Sequence, residues 1–166
     1  MPDSDSPDPS FEAANAFSFS SDNDEDGDSY AYFFTLEEAA LLARELSGVF
    51  EQAHDELSRL QDDVILYKRI HLAKRREPLG TNGDELDVLQ EKWTLYEAAF
   101  NRWNAYFAER HILLRDIGRG LVDFPYRAQD GSVYLLCWRL GEDGVLSFHG
   151  PDEGFMGRKP ITLLPD

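Results

Sequence analysis

From Leu36 onward the apolar positions fall at Leu36, Ala39, Ala43, Leu46, Phe50, Ala53, Leu57, Leu60, Val64 and Tyr67. The steps of three and four alternate without interruption, which is the seam of an amphipathic helix about 60 Å long. Thr35 with Glu38 three residues later forms a capping box, so the helix is expected to start there, just after Tyr32, Phe33 and Phe34. Gly48 is its weak point, costing about 1 kcal/mol relative to Ala. The run Glu77 to Gly83 ends this helix, and Asp84 with Asp87 caps a second. Its seam reads Leu86, Leu89, Trp93, Tyr96, Phe100, Trp103, Phe107, Leu114 and Ile117, broken only by Arg110 and stopped by Gly118.

So short a connection forces the helices antiparallel. With the loop centred near Gly80, Ala53 faces Phe107, Leu57 faces Trp103 and Leu46 faces Leu114. A second stripe on helix two, Leu95, Ala99, Tyr106 and Leu113, has no partner within such a hairpin. A homodimer forming a four-helix bundle is the simpler cover for its outer half. After Gly120 the period changes to two. Leu121 to Phe124, Val133 to Leu140 and Val145 to His149 read as three antiparallel strands, with Asp130-Gly131 and Glu142-Asp143-Gly144 as turns. The sheet should pack on the base of the hairpin against Leu36 and Ala39, with an irregular arm and a short strand at Ile161 to Leu164 to follow. The expected fold is α+β: a long, coiled-coil-like antiparallel helical hairpin (31–118), then a small three-stranded antiparallel sheet and C-terminal arm (119–166), in one domain spanning 31–166.

Composition changes this picture mainly at the N-terminus. The chain of 166 residues carries a net charge of −16, but nine acids and no base lie in residues 1–30, leaving −7 for the rest. Residues 1–30 are rich in Ser, Asp, Pro and Asn and read as a disordered acidic tail. Within it Asp22, Asp24, Asp26 and Gly27 match half of a calcium loop, but Phe33 stands where a bidentate Glu is required, so the tail reading prevails. The acidic body disfavours nucleic acid and anionic membranes as partners. One Cys excludes a disulfide framework and a multi-thiolate zinc site, and no secretory or membrane-spanning run is present. A cytoplasmic protein is expected, and no cofactor or metal is implied.

Candidate chemistry gathers in the C-terminal third. His149 at a strand end beside acids can act as acid or base, and Arg158 between Gly157 and Lys159 can clamp an anion. Asp123 and Arg139 could complete a polar cluster, with Trp138 lining a cleft. The plainer reading is that these residues pin the C-terminal arm to the sheet, with Trp138 in the core. Cys137 reads as a buried structural thiol. A separate basic cluster, Lys68, Arg69, Lys74, Arg75 and Arg76, complements the carbonyl end of helix one; alternatively it is an anion patch that the acidic tail occupies. No Ser-His-Asp arrangement, phosphate loop or metal-spaced His pair is present. The favoured reading is a non-enzymatic binding or adaptor module for a protein partner or anionic small ligand. The alternatives are an enzyme with His149 as acid or base and Arg158 as anion clamp, or a regulator whose tail competes for the hairpin tip.

Phe34-Thr-Leu-Glu-Glu-Ala39, Gly120-Leu-Val-Asp-Phe-Pro125, Leu136-Cys-Trp-Arg-Leu-Gly-Glu142, His149 and Gly154-Phe-Met-Gly-Arg-Lys-Pro160 resemble a bacterial family classed as a domain of unknown function, family 2203. The resemblance covers residues 33 to 164. It implies a small cytoplasmic protein of helices followed by a short sheet, and no established activity. The acidic tail and Ala43, where a Pro is common, depart from that family's pattern; Ala43 favours an uninterrupted first helix.

Overall fold

The computed structural model describes residues 30–74 and 83–166. The N-terminal tail, the half calcium loop, the hairpin loop around Gly80, and Arg75 and Arg76 lie outside the described residues, as does the side chain of the expected cap Asp84.

Helix α1 runs Leu36–Lys74 without interruption. Its start is built as the capping box requires: the Glu38 amide donates to Thr35 Oγ1 at 3.1 Å and the Thr35 amide to Glu38 Oε2 at 2.8 Å. Helix α2 runs Gly83–Ala108 and returns antiparallel. Phe50 meets Phe107 at 5.1 Å between ring centroids, Glu56 meets Trp103, and Tyr67 meets Glu85, a register close to the expected one.

The second helix stops earlier than its seam suggests. Arg110 and His111 do not continue it; His111 takes φ of 59°, its amide bonds Ala108 O, and the Ile112 amide reaches back to Phe107 O. This is the paired-bond helix ending usually built on glycine, closed by Phe107 packing with Ile112 in the core. Leu114 and Ile117 therefore belong to the sheet side of the molecule, Leu46 does not face Leu114 as a helical partner, and Gly118 is not the stop. Leu113, expected on the outer helical stripe, opens a strand.

That strand makes the sheet five-stranded rather than three-stranded. The strands are β1 (Leu113–Asp116), β2 (Leu121–Arg127), β3 (Val133–Arg139), β4 (Ser147–His149) and β5 (Lys159–Pro160), antiparallel neighbours in chain order. The last replaces the strand expected at Ile161 to Leu164, where Ile161–Leu163 forms a 3-10 turn. Another 3-10 turn, Phe155–Gly157, precedes β5. Even-numbered residues of β2, β3 and β4 (Val122, Phe124, Leu136, Trp138, Phe148) face the proximal half of the hairpin. There they join Phe34, Ala39, Ala43, Leu46, Phe50 and Phe107 in one core. Ala39 is buried at this contact as expected, whereas Leu36 is exposed.

The distal half of the hairpin is packed differently. Among the described residues beyond Leu57, only Val64 of α1 is buried, and none of α2 before Ala99. No described helix is long and apolar enough to cross a membrane.

Candidate functional site

Odd-numbered residues of β2, β3 and β4 point away from the helices, yet most are also buried. Asp123, Pro125, Leu135, Cys137 and His149 all lie on this far face. The register sets them in rows: Ser147 pairs with Cys137, Cys137 with Asp123, and Asp123 with Leu113, while His149 pairs with Leu135 and Leu135 with Pro125. A polar row thus crosses the middle of the sheet, with His149 one pleat along.

Asp123 is the centre. It is 2% exposed, and its Oδ2 accepts from Arg115 Nε at 2.8 Å and from His149 Nε2 at 3.3 Å. Arg115 reaches it because β1 is irregular between Leu114 and Asp116; the extra residue in β1 is Arg115 itself, and bulges redirect side chains in this way. His149 Nδ1 lies 2.8 Å from Gly150 O. Both neighbours of the imidazole are acceptors, an arrangement that favours the doubly protonated ring. Burial alone pushes the Asp123 carboxyl up, but bonds from His149 and Arg115 outweigh it and hold the group below the usual carboxylate range. For His149 burial lowers the pKa, and the Asp123 carboxylate more than reverses this, leaving it above 6.5. The Cys137 thiol, raised first by burial and then by Asp123, is pushed up to about 12. A thiol so placed is no ready nucleophile.

Arg158 closes the far face from the C-terminal arm. Its guanidinium lies 3.6 Å from the Phe155 ring centroid, donates to Glu142 Oε1 at 3.1 Å, and is near enough to Cys137 to act on its thiol. Glu142 also accepts the Arg139 amide through Oε2. Asp123, His149 and Arg158 are therefore brought together, as their sequence positions suggested. Trp138 and Arg139 are not part of this group. Trp138 faces the helical core, 6.1 Å from Phe50, with its indole N–H on Glu142 O, and Arg139 is exposed. Of the basic cluster, Lys68 lies 5.5 Å over Trp93 and Arg69 is exposed; Lys74 ends α1, its side chain outside what is described.

Two members escaped sequence reasoning. The helical seam takes in Arg115, where nothing links it to Asp123. Cys137 is buried as its sequence setting implies, but only the strand register makes it a neighbour of Asp123. Asp123, Cys137 and His149 each offer a ligand atom, all within 4.8 Å of one another.

Residues 32–161 match the family described as "Uncharacterized conserved protein (DUF2203)". That span is well over half the chain, and the protein belongs to this family. No curated protein and no solved structure matches it.

Proposed function

We propose that this member of an uncharacterized family is a non-enzymatic binding module that works through the distal arm of its helical hairpin, with a second copy of the chain as its first partner. The observation that carries this reading is the apolar surface the arm leaves open: Leu66 (58%), Ile70, Leu86 (66%) and Leu95 (59%) are exposed on two helices that bury little between them. Helical spacing puts Asp62, Leu66, Arg69 and Ile70 on one face of α1. Two copies crossing antiparallel at Leu66 would set Arg69 of each beside Asp62 and Asp63 of the other, so charge and apolar contact agree on the same pairing. Four helices then share the surface that two cannot cover.

Sedimentation velocity on the full chain tests this. A dimer that weakens with salt is expected, with Leu66→Glu sedimenting as a monomer of unchanged helix content. A chain that remains monomeric at high micromolar concentration would overturn the reading. On the far face, the pairing of Asp123 with His149 and of Arg158 with Glu142 supports a module over an enzyme, since acid, base and anion clamp are each engaged within the chain. The competing-tail reading concerns residues outside those described.

A further inference from the structure

We propose that Asp123, Cys137 and His149 form a buried binding site for a zinc-class divalent transition metal that ties β2, β3 and β4 together. This site is independent of the helical arm. It rests on four observations that converge on the same small volume.

The donor set is mixed oxygen, sulfur and nitrogen, with its ligand atoms mutually within 4.8 Å, as three ligands of one ion must be. All three residues are almost wholly buried, at 2%, 0% and 4% exposure. Asp123 Oδ2 takes both Arg115 and His149, while the buried Oδ1 meets no N–H or O–H donor among the described residues and has only the weak Cys137 thiol nearby to act on the carboxylate. A carboxylate oxygen so weakly met in so dry a place is costly unless something positive reaches it. Ser147 Oγ, beside Cys137 in the next strand, is likewise buried and without a hydrogen-bond partner among the described residues. Finally, the ligands are oriented from behind. His149 Nδ1 is fixed on Gly150 O, which directs Nε2 inward, and Arg115 holds the Asp123 carboxylate; such outer hydrogen bonds are the usual support of metal-binding imidazoles and carboxylates.

The donors decide the class. Thiolate and imidazole select zinc, cobalt or similar ions over calcium and magnesium, which require oxygen shells. Coordination replaces the proton on Cys137 Sγ, which is released to solvent, and takes the place of any proton on His149 Nε2. Carboxylate and thiolate then balance the ion's two positive charges, while Arg115 stays partly solvated at 38% exposure.

The experiment is a cobalt(II) titration of the full-length chain, freed of metal by chelation under reducing conditions. One equivalent should produce the near-ultraviolet thiolate-to-cobalt charge-transfer band, release the displaced thiol proton, and be displaced by zinc with loss of the band. Thermal melting should move upward with zinc. Cys137→Ala should abolish the band while leaving helix content intact. Cobalt bound without a charge-transfer band, or a band that persists in Cys137→Ala, would overturn the site; the first would be surface carboxylates alone. The band is read on the unsubstituted chain, so a variant that fails to fold does not leave the matter open.

Discussion

Gly120 stands where a side chain has no room. Its φ is +63°, and a Cβ there would sit 2.5 Å from Leu140 Cβ, an atom fixed to the backbone. The close approach has a purpose, because Gly120 O accepts the Leu140 amide at 2.9 Å and so anchors the start of β2 against the end of β3. Three residues later comes Asp123, whose place in the polar row depends on that start. Gly120→Ala is expected to destabilise the protein by about 2–4 kcal/mol, combining left-handed strain with overlap. Gly131 provides the comparison: φ is +90° but nothing lies within 4 Å of its would-be Cβ, so Gly131→Ala should cost only about 1–2 kcal/mol of backbone strain. Urea denaturation of both variants checks the difference, and equal losses would show that contact with Leu140 contributes nothing.

Where the two helices meet, Glu56 is the main polar link. Its carboxylate accepts from Arg102 and from Trp103 Nε1, the latter at 2.9 Å, and the Arg102 bond, ahead of the opposing effect of burial, holds its pKa below the ordinary value of 4.5. A carboxyl lowered on folding contributes stability that is full above its unfolded pKa and is lost as pH falls through the folded one. Glu56→Gln should therefore lower stability by about 1 kcal/mol at neutral pH, and the gap between variant and parent should close on acidification below the carboxylate range. Melting temperatures across pH read this directly; a constant gap would mean packing rather than charge. The helices were legible in sequence because the Thr35–Glu38 box and an unbroken seam both act locally. The end of α2 was not, since His111 adopts a conformation normally reserved for glycine while Leu114 and Ile117 continue the helical spacing by chance. Losing β1 hid Arg115. Asp123, His149 and Arg158 were legible as polar residues at strand ends and among glycines, whereas the Asp123–Cys137 pairing depends on strand register, which the turn between β2 and β3 fixes.

Taken whole, the molecule divides into a base packed on both faces of its sheet and an arm held by one thin seam. The arm is not without internal contacts: Trp93 stacks on Tyr96 at 5.4 Å, Tyr96 on Phe100 at 6.5 Å, and the Tyr67 hydroxyl donates to Glu85 O. These are half-buried rings, however, and local opening follows the depth of burial beneath each backbone bond. Amides of residues 58–71 and 85–98 should exchange at least about tenfold faster than those of 43–53, β2 and β3 in dilute protein. Concentration then separates two causes. If a second copy closes over Leu66 and Leu95, protection of the arm rises with protein concentration, while that of the base stays fixed, because association stabilises only what it covers. In Leu66→Glu the arm should exchange at the dilute rate at every concentration. An arm as protected as the base in dilute monomer would show that its seam suffices by itself. It would also remove the exposed apolar surface as a reason for association.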